Sequence, residues 1–217
     1  MQTPNNILNA LIGCHPALAP LRSAIEEAFH LICRCYEQGG TLLCCGNGGS
    51  AADADHIVGE LMKSFLRRRP LSPELSARFL GISDSSNMLS SLQTPLPAIS
   101  LVSQSALISA YANDVNAEYV YAQQVLGYGN NRPALLLGLS TSGNSANVVH
   151  AVEVANCLGL PSIGITGEAG GKMAKLCSVC LKLPASETYR VQEYTLPVYH
   201  ALCAMTEAHF FPGTGEE

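Results

Sequence analysis

Two side chains able to bind metals and move protons, His56 and Glu60, lie four residues apart after a glycine-rich turn. Their segment is rich in helix-forming residues, and in a helix residues four apart share one face. The two side chains can therefore converge on one ion or one substrate atom, and a His/Glu pair at this spacing is half of a plausible zinc site. A hydrogen bond between two surface side chains is the alternative interpretation.

A glutamine and a second histidine lie in the last long apolar segment. Gln192 and His200 are eight residues apart, which on a helix leaves them about 80° apart around the axis and roughly 12 Å apart along it. Both contact one metal only if their side chains lean toward each other or the helix is distorted, and Pro197 is a reason for distortion. For His200 alone, a hydrogen-bonded core histidine is the alternative, because its neighbours are apolar.

Two polar loops, residues 46–50 and 140–145, each follow an apolar run and precede a helical segment. At such a place the free N–H groups and the positive dipole end of a helix bind anions. The second loop carries four hydroxyl residues in six positions, more than one helix cap needs, and these suit the acceptor oxygens of a phosphate monoester. Capping and turn formation alone are the alternative. Neither loop is a Walker A motif, and Ala51 breaks a dinucleotide-binding fingerprint.

The elements that must position these residues follow from apolar runs, glycines and prolines. Buried strands are predicted at residues 41–45, 97–102, 134–139, 161–166 and 179–183. Helices are predicted twice within residues 5–37, then at 51–62, from 105 to a point before Asn113, at 146–157 and at 191–211. Residues 63–96, with several prolines, are predicted to be a long excursion without one continuous helix.

Strands that alternate with helices and lack strict polar alternation indicate a parallel sheet covered on both faces. The fold class is therefore α/β, a doubly wound Rossmann-like sheet with an N-terminal helical extension. We expect one domain over residues 1–217, with residues 1–37 forming the N-terminal helices and residues 38–217 the α/β core with its C-terminal helix.

Composition excludes several functions. The net charge of -5 and the pI near 5.7 provide no basic field for nucleic acid, and Arg67–Arg69 is interpreted as a solvated loop edge. No stretch is long and apolar enough to span a membrane, so a soluble cytoplasmic protein is expected.

Nine cysteines without framework spacing indicate buried free thiols, Cys177 and Cys180 included. Only 13% of residues are charged, which favours apolar surface between subunits.

Taken in order, the motifs resemble those of a known family, the sugar isomerase (SIS) domain of phosphoheptose isomerases. The likeness rests on the glycine turn with His56 and Glu60, the hydroxyl-rich loop, the run Gly170-Gly171-Lys172-Met173-Ala174, and Arg190-Val191-Gln192-Glu193 with His200. It covers nearly the whole chain. Residues 63–96 are the exception, being longer than is usual in that family.

The resemblance implies an aldose–ketose isomerisation, the conversion of sedoheptulose 7-phosphate to D-glycero-D-manno-heptose 7-phosphate. It implies zinc held by His56, Glu60, Gln192 and His200, and proton exchange between Glu60 and His200. A base at Glu60 requires a pKa raised by apolar neighbours such as Ile57 and Leu61. The implied substrate-binding residues are Asn47, Gly48, Gly49, Ser50, Asn113, Asp114, Ser140, Thr141, Ser142, Ser145 and Gln192. Homotetramers with active sites between subunits are also implied.

Two positions depart from the family pattern. Gln104 stands where related isomerases commonly carry an Asp ahead of the Asn-Asp pair, and Tyr189 stands where some members have an acidic residue. These departures leave open a preference for another sugar phosphate, and the shared fold and glycine turn leave open a second function. The first alternative is an isomerase or lyase of a different sugar phosphate, and the second is a scaffold that binds a bacterial replication initiator and is not an enzyme. The complete His/Glu/Gln/His set favours an enzyme.

Overall fold

The computed structural model describes residues 2–213. The helices are α1 Pro4–Cys14, α2 Arg22–Glu37, α3 Gly49–Met62, α4 Pro73–Ala77, α5 Ser85–Ser91, α6 Ser105–Tyr111, α7 Val120–Gly129, α8 Ala146–Cys157, α9 Met173–Leu176 and α10 Thr188–Phe210. The strands are β1 Thr41–Cys45, β2 Ala98–Ser100, β3 Ala134–Leu139, β4 Ser162–Thr166 and β5 Val179–Lys182. Short 3-10 turns connect α1 to α2 and lead into α7.

The five strands form one parallel sheet in the order β2-β1-β3-β4-β5. The predicted α/β class is therefore confirmed. From β1 the chain moves outward to β2 and then returns to β3 on the other side of β1, so the winding direction reverses between β1 and β3. In sheets of this kind ligands bind beyond the carboxyl ends of the strands at such a reversal. The two polar loops follow these two strands and so meet there.

The apolar residues of β1 divide between two cores. Leu42 and Cys44 belong to one core with side chains of α1, α2, α3 and α10, whereas Leu43 and Cys45 belong to a second core with side chains of α7, α8 and α9. Because strand side chains alternate between faces, each core covers one face of the sheet. The two helices that carry the predicted chemistry, α3 and α10, consequently lie on the same face and in contact.

Most predicted elements lie within a few residues of their observed bounds, and Pro197 is accommodated inside α10. The α-helix that begins at Ser105 ends at Tyr111, before Asn113, as predicted. Ala112 keeps helical dihedral angles, and a π-helical turn continues over Ala112–Asn116, because no proline or glycine stops the chain there. Asn113 and Asp114 thus lie within a helical turn. Helices α7 and α9 were not predicted.

Residues 63–96 contain no continuous helix, as predicted, but two short helices, α4 and α5. The excursion closes on itself, since the backbone N–H of Thr94 donates to the carbonyl of Arg69 at 2.7 Å and the Thr94 hydroxyl donates to the carbonyl of Pro70 at 2.8 Å. The interpretation of Arg67–Arg69 as a solvated edge is wrong for Arg69, which is buried and paired with Glu207.

All nine cysteines are free. Most are buried or half-buried, and Cys14 and Cys157 are exposed. Burial raises the pKa of the Cys35 thiol to about 11, and burial likewise raises that of Cys177 to about 12, so these side chains behave as apolar core residues. Within residues 2–213 no helix is long and apolar enough to cross a membrane.

Candidate active site

The two predicted histidines lie side by side. The ring centroids of His56 on α3 and His200 on α10 are 5.0 Å apart, with the rings nearly perpendicular. They meet because both helices pack on the same face of the sheet, with Ile57 and Val198 buried beside them. Residues 144 positions apart in the chain thus form one cluster within a single subunit.

Glu60 completes this cluster. Its Oε1 lies 3.0 Å from Nε2 of His56, and its Oε2 accepts a hydrogen bond from Nζ of Lys63 at 2.9 Å. Burial acts to raise the pKa of Glu60, but the hydrogen bond and charge of Lys63, together with His56, outweigh burial and lower the pKa below its ordinary 4.5. The expectation of a raised pKa is wrong, because charged neighbours dominate over Ile57 and Leu61. Glu60 is a carboxylate at neutral pH.

His200 is half-buried among rings. Phe65 lies 5.3 Å from it and Tyr199 lies 4.9 Å from it, centroid to centroid. Burial, and then the adjacent His56, lower its pKa below the ordinary 6.5 despite the opposing effect of Glu60. Its Nε2 is buried and has no hydrogen-bond partner within the described part of the chain. A neutral imidazole with one free nitrogen is suited to take up a proton or bind a ligand atom.

Tyr199 orients His56. Burial, and then Asp53, raise the pKa of Tyr199, so it keeps its proton. Burial raises the pKa of Asp53, while a hydrogen bond from Tyr199 opposes that rise. The Tyr199 hydroxyl lies 2.8 Å from Nδ1 of His56 and so fixes the orientation of the ring. Nε2 of His56 faces Oε1 of Glu60 at 3.0 Å, a contact that is attractive with a proton or a cation between the two atoms.

The metal-binding interpretation can be compared with these contacts. His56, Glu60 and His200 are donor types that zinc prefers, and one of them has an unpartnered nitrogen. As placed, however, the side chains bind one another, and within residues 2–213 no group of three or more His, Cys, Asp or Glu residues is arranged to hold a metal ion. The donor set therefore fits a metal ion in chemical type. Binding requires Glu60 to exchange its Lys63 and His56 contacts for the ion.

The side chain of Gln192, a residue of α10, lies against the N-terminal end of α3. Its amide packs against Gly49, where an added Cβ would lie 2.3 Å from Nε2 of Gln192. Gly49 precedes His56 by seven residues, about 10 Å along a helix. The glutamine predicted as both metal ligand and substrate-binding residue is thus in contact with the glycine turn. The absence of a side chain at Gly49 leaves room for the Gln192 amide to approach the turn this closely.

The hydroxyl-rich loop forms a compact pocket wall at the N-terminus of α8. Ser140 and Ser145 are 2.9 Å apart between their hydroxyl oxygens, and the hydroxyl of Ser142 accepts from the N–H of Asn144 at 3.1 Å. Ser140 is buried, Ser142 is exposed, and Thr141 and Ser145 are half-buried. Hydroxyls at a helix N-terminus are the predicted arrangement for a phosphate.

The glycine turn contacts the first turn of α8, which directly follows the hydroxyl-rich loop. The amides of Asn47 and Asn147 exchange two hydrogen bonds, of 2.8 and 2.9 Å, and the Tyr121 hydroxyl donates to the carbonyl of Gly46 at 2.7 Å. Gly48 has a positive φ of 56°, which brings the exposed glycine turn back toward α3, where Ser50 is buried. The glycine turn and the end of the hydroxyl-rich loop thus lie beside each other. Asn147 was not predicted.

The loop that follows β4 supports the hydroxyl-rich loop. Gly143 has a φ of +65°, and a Cβ there would lie 2.1 Å from the carbonyl oxygen of Gly170. The N–H of Gly167 donates to the carbonyl of Thr141 at 2.9 Å, and that of Met173 donates to the carbonyl of Gly143 at 3.1 Å. The Gly170–Gly171 motif is therefore a backbone support for the hydroxyl-rich loop.

The remaining predicted residues lie outside these contacts. Asn113 and Asp114 are exposed on the turn after α6 and hydrogen-bond each other at 2.8 Å. Gln104 precedes α6, and Tyr189 is 58% exposed at the start of α10, with its hydroxyl accepting from Arg190. The substrate-binding role of Asn113 and Asp114 stays a prediction.

The fold and the site define the class of protein to which this chain belongs. Residues 14–94 and 85–167 match the family model of the SIS domain, and these ranges include both polar loops, His56 and Glu60. A parallel α/β sheet whose winding direction reverses between β1 and β3 is consistent with that match. The chain is a SIS-domain protein.

Relatives narrow the class further. The phosphoheptose isomerase of Rhodospirillum rubrum is 35% identical over 89% of this chain and 90% of its own length, and that of Helicobacter pylori is 36% identical over 89% of this chain and 88% of its own length. A phosphoheptose isomerase structure from Francisella tularensis matches with a TM-score of 0.72 at 30% identity, covering 88% of each chain. The chain belongs to the phosphoheptose isomerase family.

Proposed function

We propose that this protein is a sugar-phosphate isomerase that interconverts sedoheptulose 7-phosphate and D-glycero-D-manno-heptose 7-phosphate. The observation that carries the proposal is the single cluster of His56, Glu60 and His200, on the same chain as a hydroxyl-rich loop at a helix N-terminus. The relatives named above are phosphoheptose isomerases, and their similarity to this chain covers most of their length. Membership of the family and the local chemistry thus agree.

Glu60 and His200 exchange the proton. The reaction moves one proton between C1 and C2 of the sugar and a second between their oxygens. One of the two side chains removes the proton from C1, next to the C2 carbonyl, while the other takes up the proton of the C1 hydroxyl, and an enediolate forms. The second side chain then gives its proton to C2, and the first gives its proton to the oxygen on C2. Both are unprotonated at neutral pH, since both pKa values are lowered, so either can act as the initial base.

Ser140, Ser142 and Ser145 hold the phosphate. Their hydroxyls and the N–H groups that begin α8 bind the anion. Ser50 and the Asn47 amide line the facing loop, and Thr141 completes the wall. The phosphate fixes one end of an extended sugar while its C1–C2 end reaches the imidazoles.

A zinc ion belongs to this proposal. His56, Glu60 and His200 would hold it, whereas Gln192, the fourth ligand of the family pattern, contacts Gly49 and not this cluster. When bound, the ion supplies a Lewis acid that polarises the sugar oxygens and stabilises the enediolate charge. Tyr199 supports this role because it holds Nδ1 of His56, so that Nε2, which faces Glu60, is the nitrogen that would bind the ion.

Turnover assays with and without a chelator test the proposal. Purified protein incubated with sedoheptulose 7-phosphate is expected to form the aldose, and pre-treatment with a chelator is expected to abolish this, with recovery on adding zinc. Turnover that persists without any metal would contradict the zinc assignment. Turnover only of another sugar phosphate would contradict the heptose assignment. No turnover of any sugar phosphate, together with tight binding of a replication initiator, would support the scaffold function instead.

Tyr199→Phe is expected to lower activity by about 10-fold to 100-fold, the usual effect of removing a hydrogen bond that orients a metal-binding histidine. The substitution removes one oxygen and leaves the ring packed against His200. We expect zinc affinity, measured by competition with a chromogenic chelator, to fall together with kcat.

Tyr36→Phe is the matched control, because the Tyr36 hydroxyl is also buried but has no hydrogen-bond partner in the described chain. Its removal is expected to leave both zinc affinity and kcat unchanged. Equal effects of the two substitutions would contradict the orienting role of Tyr199.

The proposal also includes a cytoplasmic homotetramer with active sites at subunit interfaces. Free thiols at every cysteine are typical of a reducing compartment. Exposed apolar side chains such as Leu80, Val115 and Leu196 are available for subunit contacts. Light scattering that finds only a stable monomer would contradict the tetramer.

A further inference from the structure

A fully buried ion pair lies beside the candidate active site. Nε of Arg69 is 2.7 Å from Oε1 of Glu207, and both side chains have 0% exposure. Such pairs contribute little net stability, because desolvation of the two charges offsets their attraction. Apolar side chains of the same size would fill the space as well. The contacts that the pair makes with its surroundings therefore need a separate explanation.

The other nitrogens of Arg69 bind the end of α3. Nη1 donates to the carbonyl of Leu61 at 2.6 Å, and Nη2 donates to the carbonyl of Glu60 at 3.2 Å. Carbonyls in the last turn of a helix have no partner within the helix, and a positive charge is favourable there. Arg69 thus caps the turn that carries the Glu60 carboxylate.

Glu207 binds the chain segment that covers His200. Its Oε1 accepts from the N–H of Phe65 at 2.9 Å, and its Oε2 accepts from the N–H of Leu66 at 2.7 Å. The Phe65 ring in turn packs on the His200 ring. Glu207 follows His200 by seven residues in α10, almost two turns, and so lies on the same helix face.

We propose that Arg69 and Glu207 are positioning residues that set the distance between Glu60 and His200. Apart from the contact between His56 and the Tyr199 hydroxyl, the contacts between α3 and α10 around Ile57, Leu61 and Leu202 are apolar, and apolar surfaces give no fixed direction. The ion pair with its four backbone hydrogen bonds has a defined geometry, and it joins the turn of one proton-transfer residue to the helix of the other. This inference rests on the proposed isomerase function.

The double variant Arg69→Met with Glu207→Leu tests the inference. Removing both charges leaves neither one buried alone, so the protein is expected to fold with little change in thermal stability. The hydroxyl-rich loop is not touched, and KM is expected to stay within about threefold of wild type, while kcat falls by about 100-fold, as a displacement of about 1 Å between reacting groups can cause. An unchanged kcat, or a loss in proportion to the unfolded fraction, would overturn the inference.

A second variant and a control sharpen this result. Arg69→Lys keeps the charge but loses the fork that reaches both carbonyls, and kcat between those of wild type and the double variant is expected. Arg22 and Glu26 form an exposed pair at 3.4 Å, and Arg22→Met with Glu26→Leu is expected to leave kcat unchanged. A full wild-type kcat in Arg69→Lys would overturn the role of the fork.

The imidazole C–H signals in NMR spectra separate this inference from the proposed function. Those of His56 and His200 are expected to shift in the Arg69/Glu207 double variant and to stay in place in the Arg22/Glu26 variant. Absence of turnover in the wild-type protein would contradict the proposed isomerase function. The shifts of the imidazole signals would still show whether Arg69 and Glu207 position His56 and His200. Identical spectra in all three proteins would overturn the inference whatever the activity.

Discussion

Glu60→Gln is expected to lower kcat by about 1,000-fold, within the range that a positioned acid–base group contributes. Glutamine has nearly the same size and keeps one oxygen for Lys63 and His56, so folding is expected to be unaffected. It cannot accept a proton at neutral pH. KM should change little, because the phosphate loop is at a distance from this side chain. Steady-state kinetics with sedoheptulose 7-phosphate measure both constants.

Glu153→Gln is the matched control. Glu153 lies on α8 with a histidine three residues before it, and Oε2 of Glu153 is 2.8 Å from Nδ1 of His150. It is thus a helical His/Glu pair of the same kind, away from the cluster on α3 and α10. We expect wild-type kinetics from this variant. Should Glu60→Gln retain a tenth or more of wild-type kcat, Glu60 is not the base.

The sequence allows the strand–loop–helix units to be predicted because their signals are local. The apolar run of β1 and the glycines after it define a strand and a turn within about ten residues, and the same holds for β3 and its hydroxyl-rich loop. Helix α7 lacks such a signal: it contains two glycines and several aromatic or β-branched residues, which have low helix propensity. Packing of Val120 and Val125 in the second core stabilises it instead.

The candidate site could be predicted in part for the same reason. His56 and Glu60 share one helix face, so their proximity follows from spacing alone. The pairing of His56 with His200 depends on which face of the sheet each helix covers, which no local pattern contains. Lys63 lowers the pKa of Glu60 through a contact that depends on side-chain conformation. Glu207 is 138 residues away from Arg69, and spacing gives no information on a partner at that distance.

Gly143→Ala is expected to destabilise the protein and weaken phosphate binding together. A side chain at φ +65° costs about 1–2 kcal/mol, and the contact of 2.1 Å with the Gly170 carbonyl forces two backbone segments apart, for a further cost of about 1–3 kcal/mol. The loss of about 3 kcal/mol corresponds to a fall in Tm of roughly 10 °C for a chain of this size. Displacement of Ser142 should also lower the affinity for inorganic phosphate by about tenfold, the loss of one hydrogen bond to a charged group.

Gly159→Ala separates the two causes. Gly159 also has a positive φ, +69°, but an added Cβ would meet nothing within 4 Å, so only the backbone cost of about 1–2 kcal/mol applies. Phosphate affinity, measured by calorimetry, should be unchanged, because this residue follows the C-terminal end of α8. Equal losses of stability in both variants would show that the loop after β4, which carries Gly170, moves away from the added methyl group without lowering the free energy of unfolding. Normal phosphate affinity in Gly143→Ala would mean that the anion binds elsewhere than at the hydroxyl-rich loop.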